Sequence, residues 1–174
     1  TISNIAVKEQ AKYNQIMMLK NRKGDITQNI EYALPDGTKA DLYSLNKKYT
    51  ILYFYNPDCH ACKEIIAYMK SSLLINKLLA SGMLDILALY TDEDLSLWYK
   101  YIPQIPPTWK NAYDKKVKKE QLYDLRAIPC LYLLDIKKKV LLKDADVNFI
   151  EIFLQDSLGN IEKEMIDDIS PGRL

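Results

Sequence analysis

The sequence predicts an α/β protein: one mixed central sheet flanked by helices on both faces, preceded by an N-terminal helical extension. Three observations carry this. Strand-like apolar runs and stretches of helical periodicity follow one another in the order β-β-β-α-β-α-β-β-α. One run, Thr50-Ile51-Leu52-Tyr53-Phe54-Tyr55, is apolar on both faces, as a strand in the middle of a sheet must be. The chain, at 174 residues, suits one domain plus an extension and is long enough to bury a core without staples.

The elements follow in order. Residues 1–23 read as a helix that Ser3 can cap, with Ile5, Tyr13, Ile16 and Met17 toward one side. Gly24-Asp25 punctuates the chain and marks the end of an extension at 1–24. Ile30, Tyr32 and Leu34 alternate with polar residues as a half-buried strand does. Pro35-Asp36-Gly37 then supplies a turn, and Thr38 to Tyr43 return as a second strand. The strand at 50–55 ends at Asn56-Pro57-Asp58. Beyond it Cys62, Ile66, Met69 and Leu73 form one helical stripe, in a helix expected to run to about Ala80. Gly82 stops it, and Met83 to Tyr90 is the next buried strand. Thr91-Asp92-Glu93-Asp94 opens a helix carrying Trp98, Tyr99 and Tyr101. Pro103, Pro106 and Pro107 break it into a loop holding Trp109. A short helix is expected around Gln121 to Leu125. Then come the strand Leu131 to Asp135, a polar turn at 137–139 and a hairpin strand at Val140-Leu141-Leu142. A last amphipathic helix spans about Val147 to Leu158, and 159–174 read as a second short helix with a frayed tail.

Composition narrows function. Apolar residues make up 48% and charged residues 27%, as in ordinary globular proteins. The formal charge of +1 provides no field for nucleic acid, and the Lys115–Lys119 run reads as a solvated face. No apolar run reaches the roughly 18 residues of a membrane-spanning helix. The chain opens at Thr1 with no initiator Met and no leader, so the expectation is either that a targeting segment was removed or that the sequence starts partway into a precursor.

The chemistry concentrates in Cys59-His60-Ala61-Cys62, between a strand end and a helix start. A sulfur at a helix N-terminus meets free N–H groups and the positive end of the dipole, which favour its thiolate. A second thiol one turn on can attack a mixed disulfide formed by the first. Cys59 is therefore the expected attacking thiol and Cys62 the buried resolving one. His60, the single histidine, would as an imidazolium depress the Cys59 pKa and make the disulfide more oxidising. The alternative is a loop histidine whose ring faces solvent.

The hydrophobic strand before the motif, the helix after it and the later Ile128-Pro129 before a strand resemble thioredoxin-like domains. The resemblance covers about residues 25 to 157 and places the domain at 25–158. Leu34-Pro35-Asp36-Gly37, Ser44-Leu45, Tyr53 to Cys62, Trp98 and Leu131 to Asp135 make it similar, more narrowly, to TlpA-like or ResA-like thiol-disulfide oxidoreductases of bacterial envelopes. The resemblance implies a cis Pro129 facing the cysteine pair, with the Ile128 backbone oriented to receive an extended substrate. It implies thiol-disulfide exchange on protein substrates, no bound cofactor, a periplasmic or envelope location and a membrane-bound redox partner.

The chain departs from the pattern at several points. Asp58 stands where many thioredoxins have Trp, and His60-Ala61 replaces Gly-Pro or Glu-Pro. Tyr53 occupies the position of the buried acid in typical thioredoxins. Ile65 stands where ResA-like proteins place a glutamate, with Glu64 one residue away. Lys63, Glu64, Asp58 or water remain as proton carriers for Cys62. Cys130 reads either as a buried small hydrophobe or as a third redox thiol. Cys59, Cys62, His60 and Cys130 include metal-ligating types. However, His60 is too close in sequence to share an ion easily with both neighbours, and no metal is expected. Two rivals remain: a non-catalytic binding module on the same fold, and a peroxiredoxin-like peroxidase, for which Asn56 stands in place of the usual Thr or Ser. Trp98, Tyr99, Tyr101, Trp109 and Tyr113 read as a small core under an inserted helix or as the rim of a peptide groove.

Overall fold

The structure, a computed structural model, describes the backbone of residues 1–169 and the side chains of residues 1–162. Helix α1 (Ile2–Met18) precedes strands β1 (Glu31–Ala33) and β2 (Lys39–Asp41). Then come β3 (Tyr49–Tyr55), α2 (His60–Ser71), α3 (Leu73–Ala80), β4 (Leu84–Tyr90) and α4 (Leu95–Tyr101). The chain continues through β5 (Lys110–Tyr113), α5 (Lys116–Lys119), β6 (Cys130–Asp135), β7 (Val140–Leu142) and α6 (Val147–Ile169). The strands form one sheet in the order β2-β1-β5-β4-β3-β6-β7. It is mixed: β3, β4 and β5 run parallel, and β6 pairs antiparallel to β3.

The run at 50–55 is the middle of this sheet, and its alternation sorts the core into two layers. Ile51, Tyr53 and Tyr55 face α2, α3, α4 and α6, where Cys62, Met69, Ile75, Leu78, Trp98, Ile150 and Leu154 are buried. Leu52 and Phe54 face the other way, toward Leu42, Val117, Tyr123 and Cys130. That second face is covered by a 3-10 turn at Leu42–Ser44, by the one-turn α5 and by the loop through Tyr123. Asn21 and Thr27, just after α1, tie that loop down: the Asn21 amide donates to Leu122 O (2.9 Å), and the Thr27 and Tyr123 hydroxyls are bonded at 2.6 Å.

Four local expectations are corrected. The helix expected to run to Ala80 is two helices. Ser72 is extended (φ −69°, ψ 117°), ends α2 and caps α3 by accepting from the Ile75 N–H (3.1 Å). Leu73, placed on the buried stripe, consequently turns out to solvent and is 89% exposed. The helix expected at 121–125 lies earlier, at Lys116–Lys119, where Asp114 accepts from the Val117 N–H (3.0 Å). Strand β5 replaces part of the expected loop: Lys-Asn-Ala-Tyr has little strand propensity, and the β4 edge imposes the conformation. Finally, α6 is one helix, not two. Gly159 costs it about 1 kcal/mol relative to Ala but does not break it, and helix formers follow. The expected frayed tail, 170–174, lies outside the described residues.

Helix α1 is the predicted N-terminal helix, but only Met17 is buried in it. Ile5 and Ile16, expected on its packed side, are exposed, and Ser3 does not cap it.

Candidate active site

The site grows from the C-terminal end of β3. Antiparallel pairing sets Phe54 opposite Cys130, so Pro129 arrives at the same sheet end as Asn56 to Cys59. The Ile128-Pro129 bond is cis, as the resemblance implied. Ile128 is half-buried and packs against both core layers, as a residue at the sheet's end can.

Asn56 builds the loop. Its side-chain oxygen accepts from the Asp58 N–H (2.9 Å), its carbonyl accepts from the Cys59 N–H (3.1 Å), and its side-chain amide donates to Asp92 (3.0 Å). This is the local turn that Asn-Pro-Asp favours. Sequence reasoning read Asn56 as the end of a strand and as a missing Thr or Ser, not as the residue whose side chain builds this loop.

Cys59 is the N-cap of α2, with extended backbone (φ −89°, ψ 126°), and its sulfur accepts from the Cys62 N–H at 3.4 Å. It is half-buried and free. Cys62 lies one turn on, fully buried, and the Asn56 backbone N–H donates to its sulfur at 3.5 Å. Burial pushes the Cys62 thiol up to about 12; Cys59 beside it adds to the rise, and the Asn56 N–H opposes it. The two sulfurs are therefore unequal. One reaches solvent and caps a helix, while the other is held back as a protonated thiol.

Ala61 is exposed on the first turn of α2. The His60 ring is 89% exposed and pairs with Glu64 (3.2 Å), one turn along the same helix. The geometry matches the solvent-facing alternative, since a charge this exposed is strongly screened. Asp58 is exposed and receives the Tyr101 hydroxyl at 3.4 Å; the Lys63 ammonium lies over the Tyr101 ring at 5.3 Å. Of the five aromatics, Trp98 and Trp109 are core, Tyr113 packs on Trp98, Tyr99 faces solvent, and Tyr101 alone reaches the loop before Cys59.

Cys130 lies in the layer behind the sheet with Phe54 and Tyr132, opposite Cys62. It is buried, and burial, then Asp144, raises its thiol well above the ordinary cysteine range. Native alkylation should spare Cys130, and mild oxidation should link only 59 to 62. Peptide mapping that finds Cys130 in a disulfide with Cys59 would contradict this placement. Among the described residues no group of His, Cys, Asp and Glu is arranged to hold a metal ion.

A contact that sequence reasoning missed is made by Tyr53. Fully buried on β3, it donates its hydroxyl to the Cys62 carbonyl at 2.8 Å.

Comparison with known proteins agrees with this architecture. No curated protein matches the chain. Among solved structures, a thioredoxin-like protein from Bacteroides caccae is similar at 42% identity and a TM-score of 0.83, over 86% of this chain and 55% of that one. The chain thus spans only about half of that protein's length. The C-terminal domain of an uncharacterized protein from Bacteroides fragilis is 45% identical, with a TM-score of 0.76, over 78% of this chain and 98% of that one. A domain of a possible thiol-disulfide isomerase from Cytophaga hutchinsonii is 25% identical, with a TM-score of 0.63, over 86% and 99%. The sequence model of the family described as thioredoxin-like matches residues 46–140, from the start of β3 through β6 with the cysteine pair inside it, and the chain belongs to that thioredoxin-like family.

Proposed function

We propose that the protein is a thiol-disulfide oxidoreductase that exchanges disulfides with protein substrates, Cys59 attacking and Cys62 resolving. The observation that carries this reading is the inequality of the sulfurs: Cys59 half-exposed at the helix cap, Cys62 fully buried one turn later. The arrival of Ile128-Pro129 at the same sheet end as Cys59 supports a place for an extended substrate, with Ile128 and Pro129 along it. The possible thiol-disulfide isomerase domain among the similar structures points the same way.

In the exchange, the Cys59 thiolate attacks one sulfur of a substrate disulfide, and the other substrate sulfur leaves and takes up a proton. Cys62 then loses its proton, attacks Cys59 and expels the second substrate thiol. The substrate gains two electrons and two protons, and the protein pair becomes a disulfide; run backward, the same steps oxidise a substrate dithiol. No resident cofactor enters this chemistry. We place the activity in the bacterial periplasm or cell envelope, with a membrane-bound partner resetting the pair. Among the described residues no helix is long and apolar enough to cross a membrane.

An insulin-reduction or peptide-disulfide assay tests the reading. Turnover is expected from the wild-type chain. No turnover, with both thiols free and Cys59 unreactive to alkylators, would instead leave a thioredoxin-fold binding module.

Two further results are expected. Because burial raises the Cys62 thiol, resolution of the mixed disulfide should accelerate as pH rises through the neutral and alkaline range. Because the His60 ring pairs outward with Glu64, His60→Ala should move the potential of the pair by less than about 10 mV. A shift of about 30 mV, tenfold in the equilibrium constant, would establish tuning by His60.

A further inference from the structure

The resolving step places negative charge on a sulfur with almost no solvent. The Cys62 sulfur is fully buried, and the Asn56 N–H reaches it only at 3.5 Å. The candidate acids in the neighbouring sequence do not close this gap. Glu64 is turned to His60, while Asp58 and Lys63 are exposed and engaged with Tyr101. Behind Cys62, however, stands Tyr53. Its odd position on β3 aims it at α2, and stacking on Tyr55 (5.4 Å between centroids, 20° between planes) holds the ring. Its hydroxyl donates to the Cys62 carbonyl at 2.8 Å, on the residue that carries the resolving sulfur.

Resting on the exchange reading above, we infer that Tyr53 is a positioning residue for the resolving step, fixing the first turn of α2 through the Cys62 carbonyl and donating to the Cys62 sulfur as it becomes charged. In the resting state the hydroxyl is bonded to the carbonyl, and the sulfur is the second acceptor on the same residue, toward which it turns as charge develops there. A hydrogen bond to a charged acceptor is roughly twice as strong as one to a neutral acceptor, which makes the switch favourable as the proton leaves. Burial, then the nearby cysteines, raise the Tyr53 phenol well above its ordinary range, so it remains a donor. The step balances without it. The Cys62 proton passes to water, Cys62 Sγ bonds to Cys59 Sγ, and the bond from Cys59 to the substrate sulfur breaks. The departing thiolate then takes a proton from water.

The test is single-turnover exchange with a peptide disulfide, acid-quenched and read by mass, so that attack by Cys59 and decay of the mixed disulfide are timed separately. Tyr53→Phe removes the hydroxyl and keeps the stack. It should leave the attack rate unchanged, lengthen the mixed-disulfide lifetime about tenfold at neutral pH, and move the pH profile of resolution about one unit alkaline. Tyr55→Phe, which removes an equally buried neighbouring hydroxyl bonded to Asn111, should leave both steps unchanged. A wild-type lifetime in Tyr53→Phe overturns the inference, as does slowing without a shifted pH profile or equal slowing in Tyr55→Phe. If Tyr53→Phe fails to fold, 3-fluorotyrosine at position 53, a stronger donor of nearly the same shape, decides: a shortened lifetime supports the role and an unchanged one overturns it. If the wild-type chain forms no mixed disulfide at all, the exchange reading has failed, and this inference with it.

Discussion

Cys59→Ser should abolish disulfide exchange, and Cys62→Ser should stop it at a mixed disulfide between Cys59 and the substrate. The asymmetry follows from burial. With Cys59 gone, the sulfur left at the motif is inside the core, where burial still holds its thiol above the ordinary range. Its thiolate population at neutral pH is smaller than that of an ordinary exposed thiol, so the first attack should fall about tenfold for each unit by which burial raises the thiol. Steric closure lowers it further. In Cys62→Ser the exposed sulfur still attacks, but a serine hydroxyl does not displace a thiol, and the covalent complex persists. Mass analysis after incubation with a peptide disulfide reads both outcomes. Retained turnover in Cys59→Ser would refute the assignment of roles.

Trp98→Ala should cost the fold about 3–5 kcal/mol. Trp98 is 2% exposed, packs on Tyr113 at 5.8 Å, and donates its indole N–H to Asn111 (3.1 Å), the oxygen that also receives the Tyr55 hydroxyl. Removing it opens a cavity in the layer that holds Cys62 and deletes one donor from a buried amide whose nitrogen already lacks a partner. At this chain size each kcal/mol moves Tm by about 2–4 °C, so a drop of roughly 6–20 °C is expected in calorimetry. Trp98→Phe keeps most of the packing and should lose only about 1–3 kcal/mol. A Trp98→Ala protein with unchanged Tm would show that α4 packs on the sheet more loosely than its burial indicates.

How legible the fold was depended on how much of each signal was local. The run at 50–55 announces a central strand because both its faces are apolar, and the strands at 84–90, 130–135 and 140–142 were legible for similar reasons. Strand β5 was not, since Lys110-Asn111-Ala112-Tyr113 becomes a strand only by pairing with β4 and, at Tyr113, with β1. The break at Ser72 hid behind a stripe that continued through it in register. Asn56 announced a turn but not that its backbone N–H would reach the Cys62 sulfur six residues on. His60 shows the reverse case. Adjacency to two cysteines suggested electrostatic influence, whereas Glu64 four residues later already offered a partner on the outer face of the helix. For Tyr53, the sequence showed the absence of an acid but not the approach of its hydroxyl to Cys62, which depends on how α2 lies across β3.

The most direct measurement is a titration of the reduced protein through glutathione buffers of graded ratio, acid-quenched, alkylated and mapped by mass. The account predicts a single two-electron transition in which Cys59 and Cys62 become linked to each other while Cys130 stays a thiol, with a midpoint between about −270 and −120 mV. Alkylation of Cys59 and Cys62 as separate thiols at every ratio would contradict it.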